Sequence, residues 1–135
     1  MVNESWDLID EFDARYRIAG ESVVRHIEVN TTGSDYGASS YTTRDQADRL
    51  ASLLALAPGR TLLDVGSGAG WPGIYLARTT GCDVFLTDLP PEGLRQAHRR
   101  MVDEKVRGVV VAAAGAELPL CDEALDAATS SDVLC

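Results

Sequence analysis

Two periodicities divide the chain near residue 43. Ahead of it, Trp6, Ile9, Phe12 and Tyr16 fall close to one helical face, which predicts a first helix ending near Ile18. Asn3 or Ser5 would cap it, and Gly20 suits its exit. A short second helix is expected from Glu21 to Glu28, followed by a polar loop from Asn30 to Tyr41. A third helix starts at Thr43, where Gln46 three residues on completes a capping box. Ala47, Leu50, Ala51 and Leu54 then repeat at i, i+3, i+4 and i+7, giving one buried stripe that Pro58-Gly59 ends.

From Thr61 the pattern changes to short apolar runs alternating with amphipathic ones. Strands are predicted at Thr61–Val65, Asp83–Thr87, Gly108–Ala112 and Leu125–Ser130. One helix lies between Pro72 and Gly81, and a second runs from Pro91 to Glu104 with Leu94, Ala97 and Met101 inward. Repeated strand–helix alternation means an α/β fold with a parallel sheet covered on both faces. Residues 1–42 then form an N-terminal helical cap and residues 43–135 the core. Asp132-Val133-Leu134 reads as the start of another helix just before the chain stops, so the core is expected to be incomplete at its C-terminus. Its fourth strand would expose an edge, and self-association through that edge is the expected consequence.

Charge narrows the partners. Twelve basic against 21 acidic residues leave a net charge of −9, which gives no general attraction for nucleic acid. No apolar run approaches the ~20 residues of a membrane helix. The acidic start Met1-Val2-Asn3-Glu4 lacks the layout of a signal peptide, so a cytoplasmic location is expected. Cys82, Cys121 and Cys135 are far apart and show no paired spacing, and the two histidines add no metal-ligand cluster. His26 reads as a surface residue, and His98 as a histidine packed beside Leu94, Ala97 and Met101. Trp71 also reads as a packing residue.

The chemistry concentrates in Leu62-Leu63-Asp64-Val65-Gly66-Ser67-Gly68-Ala69-Gly70. A strand that ends in alternating glycines and leads into a helix can bring backbone close to a nucleotide, because glycine has no Cβ and tolerates positive φ. Asp64 would repel phosphate and attract an amine, so the favoured ligand is a nucleoside with a cationic end. Asp88, at the end of the second strand, is placed to accept hydrogen bonds from a ribose diol, and Leu89 could face a base. A dinucleotide reading stays open, since Gly68, Gly70 and Gly73 fit GxGxxG with Asp88 twenty residues on. An NAD(P)-dependent oxidoreductase is the enzyme that register would imply.

This run, together with Asp83-Val84-Phe85-Leu86-Thr87-Asp88 and Glu117-Leu118-Pro119-Leu120-Cys121-Asp122-Glu123-Ala124-Leu125-Asp126, resembles the class I S-adenosylmethionine-dependent methyltransferases, in particular their small-molecule-type domains. The resemblance implies a Rossmann-like sheet of order 3-2-1-4-5-7-6, of which this chain holds the 3-2-1-4 part. It implies S-adenosyl-L-methionine as cofactor, with Asp64, Gly66, Ser67, Gly68 and Gly70 at its methionine end and Asp88 and Leu89 at ribose and base. The segment from Ala114 to Leu118, including Ala116 and Glu117, would line the adenine. Ala114 stands where the family carries an acid, and Glu117 is the candidate substitute. Tyr41, in the loop with Tyr36, would either close on the methionine carboxylate or simply anchor that loop. The implied reaction is methyl transfer to an unidentified small-molecule acceptor, with no catalytic residue assigned. A fragment that binds cofactor without turnover is the alternative.

Overall fold

The computed structural model describes residues 2–133, and side chains from Trp6 onward. Its elements are α1 (Val2–Ile18), α2 (Ser22–Thr32), α3 (Arg44–Leu53), β1 (Thr61–Val65), α4 (Gly73–Thr80), β2 (Asp83–Asp88), α5 (Pro91–Asp103), β3 (Gly108–Ala112) and β4 (Ala127–Ser130). The four strands form one parallel sheet in the order β3-β2-β1-β4. This is the sheet that the strand–helix alternation and the family resemblance implied. Of the expected helix start Asp132-Val133-Leu134, Asp132 and Val133 form a bend instead, with Asp132 at φ +59°, while Leu134 and the terminal Cys135 lie outside the described residues.

The core forms where the apolar runs predict it. Leu62 on β1, Val84 and Leu86 on β2, Ile74 and Leu76 on α4, and Ala97 and Met101 on α5 are all buried in one cluster. α3 adds Ala47, with Leu50, Ala51 and Leu54 packed against it. Its capping box is present in both directions: Gln46 N–H donates to Thr43 Oγ1 at 3.2 Å, and Thr43 N–H to Gln46 Oε1 at 2.8 Å.

Four boundaries differ from the sequence pattern; one is the end of α3, which stops at Leu53 with Ala55 at φ +49°, well before Pro58. α1 starts at Val2, ahead of Asn3 and Ser5, so neither is its cap. α2 continues four residues past Glu28, to Thr32. The hydroxyls of Thr31 and Thr32 donate back to the carbonyls of Ile27 and Glu28, and Gly33 closes the helix at φ +74°. β4 begins at Ala127 rather than Leu125. The inward face of α1 is also only partly buried. Tyr16 is buried and Ile9 and Phe12 half-buried, but Trp6 is 63% exposed. The helix is fastened at its C-terminal half, where Glu92 N–H donates to Asp13 Oδ1 at 2.6 Å and Gln96 Nε2 donates to the Tyr16 carbonyl at 2.8 Å. Leu8, Ile9, Phe12 and Tyr16 face Gly66 and Asp88 at the C-terminal ends of β1 and β2.

The segment between α2 and α3 packs against the start of α4. Trp71 lies between the rings of Tyr36 and Tyr75, with centroids 5.1 and 5.2 Å away. Its indole N–H donates to the Thr42 carbonyl at 2.9 Å, so Trp71 packs as expected. His98 does not: it is exposed at the rim of a groove with Leu94 and Val110, because the inward face of α5 is already filled by Leu94, Ala97 and Met101.

Candidate functional site

β1 delivers the chain to a turn in which Gly66, Gly68 and Gly70 all have positive φ, at +70°, +51° and +97°. Only glycine adopts that succession without strain. The turn uses its own donors. Gly66 and Ser67 N–H both donate to the Thr87 carbonyl, at 2.7 and 3.0 Å. Gly70 N–H donates to the Ser67 carbonyl at 2.7 Å, and Gly68 N–H to Asp88 Oδ2 at 2.7 Å. Three of these amides tie the loop to the end of β2 and the fourth, from Gly70, closes the loop on itself, so none of the four has a further hydrogen to offer a ligand.

Asp64 lies beneath this turn, 1% exposed. One carboxylate oxygen, Oδ2, accepts from Gly73 N–H at the start of α4, at 3.0 Å. The other, Oδ1, has no hydrogen-bond partner among the described residues, and neither has the buried Ser67 hydroxyl. Burial pushes the Asp64 carboxyl up to about 8; the Gly73 hydrogen bond lowers it and the charge of Asp88 raises it further. Asp88 is half-buried, and its own pKa is raised by burial against the lowering effect of the Leu89 and Gly68 amides.

A cavity of about 440 Å³ crosses the strand ends above the loop. At the β2 end its wall is Asp88, Leu89 and Pro90; at the β4 end it is Ser131, Asp132 and Val133, with Ser39 nearby and Gly66 between. The roof is the apolar face of α1, formed by Leu8, Ile9, Phe12 and Tyr16. Two side chains rest on the glycines themselves. A Cβ at Gly68 would collide with the Tyr16 hydroxyl, and one at Gly66 with Val133. Asp132 also holds the wall together: its Oδ2 accepts from Ser40 Oγ at 2.6 Å, Tyr41 N–H at 2.9 Å and Thr42 Oγ1 at 3.3 Å. Burial raises its pKa, but these hydrogen bonds together outweigh burial and leave it below the ordinary carboxylate range.

Of the residues singled out from sequence, Gly66, Asp88 and Leu89 line this cavity. Asp64 and Ser67 are buried beneath it, and Gly68 and Gly70 shape its floor. Ala116 and Glu117 sit exposed on the turn after β3 and are not among the lining residues. Tyr41 is 88% exposed and borders a separate hollow with Gln46 and Leu53. Ser39 belongs to the loop of Tyr36 and Tyr41 that the sequence offers as a cover for the methionine carboxylate, and it, not Tyr41, lines the cavity. Asp132 and Val133 read in sequence only as a helix start, and Tyr16 only as part of a packing stripe; nothing local marks these three as cavity residues.

The arrangement defines a class: a Rossmann-like nucleoside-binding domain whose glycine turn is braced by acids. A family profile described as a methyltransferase domain matches residues 62–135, and the chain belongs to that family. Among curated proteins it is 33% identical over 95 residues to 24-methylenesterol C-methyltransferase 2 of Oryza sativa subsp. japonica, covering 69% of this chain and 26% of the relative. It is 43% identical over 74 residues to ribosomal RNA small subunit methyltransferase G of Anaeromyxobacter dehalogenans, covering 50% and 33%. A solved SAM-dependent methyltransferase from Thiobacillus denitrificans, in complex with S-adenosyl-L-homocysteine, superposes with a TM-score of 0.62 at 26% identity, over 77% of this chain and 42% of that one. The chain thus spans less than half the length of each.

Proposed function

We propose that this chain binds S-adenosylmethionine across the ends of β2, β1 and β4 and serves methyl transfer to a small-molecule acceptor. The observation that carries the reading is the fate of the glycine-loop amides. Gly66, Ser67, Gly68 and Gly70 spend their N–H groups on Thr87, Ser67 and Asp88, while carboxylates stand beneath and beside the loop. A pyrophosphate needs free amides and no nearby negative charge. A nucleoside with a cationic amino-acid end needs the reverse. The partnerless Asp64 Oδ1 and Ser67 hydroxyl are polar atoms that such a ligand, or a water it retains, can satisfy.

Asp88 would hold the ribose. Each of its oxygens already accepts one amide, from Gly68 or Leu89, and each retains capacity for a hydroxyl donor. Leu89 and the apolar face of α1 would sandwich the base, and Gly66 would admit the methionyl chain. When bound, the cofactor supplies a methyl group on a sulfonium, already a good leaving group. The protein's share is then to align the acceptor behind that methyl and to keep water out, which Leu8, Ile9 and Phe12 are placed to do.

For the acceptor, the net charge of −9 opposes a polyanion such as RNA, and the apolar roof favours a small, largely apolar molecule. No helix among the described residues is long and apolar enough to cross a membrane. The test is a pair of thermal-shift titrations, with S-adenosylhomocysteine and with NADH. A ligand at a hundred times its dissociation constant adds ~2.7 kcal/mol of stability. Stabilisation by S-adenosylhomocysteine is expected; a response to NADH alone would reject the reading.

A further inference from the structure

We infer that Glu28 is a positioning residue for the amino-acid end of the cofactor: from outside the cavity, it fixes the loop that brings Ser39 into the cavity wall. The inference rests on the cofactor reading above. Glu28 is on α2, 8% exposed, and is not a lining residue. Its carboxylate accepts from the backbone and side chain of one short segment: Ser34 Oγ, Tyr36 N–H at 2.9 Å and Ala38 N–H at 3.4 Å on Oε1, and Gly37 N–H at 2.8 Å on Oε2. Thr32 adds a second tie through its hydroxyl, 3.1 Å from Ser34 Oγ.

A buried carboxylate that takes three backbone amides costs desolvation, which those bonds offset only if the loop holds one conformation. The segment therefore has a fixed shape up to Ala38. Ser39 follows at once, and Ser40, Tyr41 and Thr42 are then gripped by Asp132. Ser39 is thus suspended between two carboxylate anchors. Neither neighbouring stretch has a strand or helix to hold it.

The sheet order says which part of the ligand this loop meets. Asp88 is at the β2 end of the cavity, and Ser39 is with Ser131 and Asp132 at the β4 end, across Gly66 on β1. With the ribose on Asp88, the chain of the ligand that extends over the glycine turn ends beside Ser39. Glu28 therefore controls affinity for the amino-acid group and not for the nucleoside.

The test compares two ligands that differ only in that group. S-adenosylhomocysteine carries the amino-acid end, and 5′-deoxy-5′-methylthioadenosine has the same nucleoside thioether without it. Both are titrated calorimetrically into the wild type, Glu28→Ala and Glu28→Gln. In Glu28→Ala, S-adenosylhomocysteine should bind at least about tenfold more weakly, while methylthioadenosine changes by less than about twofold. Glu28→Gln, which keeps one acceptor oxygen, should fall between and serves if the alanine variant does not fold. A parallel loss for both ligands would make Glu28 merely structural and overturn the inference, as would unchanged affinity for both. A wild type that binds neither ligand would reject the cofactor reading itself, and this inference with it.

Discussion

Replacing Asp64 by asparagine should change the sign of its effect on stability with pH. The carboxyl is buried, and burial raises its pKa from 3.8 to about 8. Between those values the folded protein binds a proton that the unfolded chain has lost. Stability contributed by this group is therefore complete below pH 3.8 and falls as pH rises toward 8. At 1.36 kcal/mol per pH unit, the cost is on the order of 1 kcal/mol at pH 4.5 and on the order of 4 kcal/mol at pH 7. Asparagine removes the titration and keeps an acceptor for Gly73 N–H. Its amide, however, faces the position where Oδ1 has no partner among the described residues, an unsatisfied donor worth ~1–3 kcal/mol. The two effects roughly cancel, or leave the variant slightly less stable, near pH 4.5. At pH 7 and above the variant should be the more stable protein, by roughly 1–3 kcal/mol. Urea unfolding of both proteins from pH 4.5 to 8.5 measures this. A difference that does not vary with pH, or an asparagine variant less stable at pH 8, would refute a buried carboxyl that charges late.

Other substitutions test separate links. Asp88→Asn leaves the fold of β2 but puts an amide where an acceptor for Gly68 or Leu89 stood, so S-adenosylhomocysteine should bind about ten- to a hundredfold more weakly in a calorimetric titration. Gly108→Ala places a Cβ against the Val84 carbonyl at φ +150°, where no side chain can yield. It should cost roughly 3–5 kcal/mol, and a chemical-denaturation loss below about 1 kcal/mol would contradict the β2–β3 register. Thr43→Ala removes one half of the α3 capping box and should cost ~1 kcal/mol in the same measurement, with ligand affinity unchanged.

The sheet was legible because its residues declare themselves locally. Leu62, Val84 and Leu86 lie in short apolar runs between glycines and prolines, and Leu94, Ala97 and Met101 repeat at helical spacing; all are buried. The strand order was not in that pattern and came from the family resemblance. The glycine turn was legible as a turn, but the use of its amides was not. Gly68 N–H meets a carboxylate twenty residues on, and Gly66 and Ser67 share the carbonyl of Thr87. The sequence pattern ends the second helix at Glu28, ahead of a polar loop, yet Thr31 and Thr32 extend it by bonding back to its carbonyls. Tyr16 and Val133 cover glycines 52 and 67 positions away, a relation that periodicity within either segment cannot express.

The cavity therefore owes its charge to groups placed for different reasons. Asp88 ties the glycine turn to β2, Asp132 gathers Ser40, Tyr41 and Thr42, and Asp64 receives the first amide of α4. Asp88 and Asp132 leave negative potential in a space roofed by apolar side chains, while Asp64, buried beneath it, keeps its proton near neutral pH. A low-dielectric roof strengthens that potential, so a cation gains more here than at an open surface. Burial beneath the glycine turn keeps Asp64 from holding its charge at neutral pH. A cationic ligand favours the ionised carboxylate, and its binding must then be accompanied by loss of a proton from Asp64 at neutral pH. On the proposed reading, structure and selectivity for charge rest on the same carboxylates: removing Asp64 should relieve the fold and, by the same step, weaken binding of a cationic ligand.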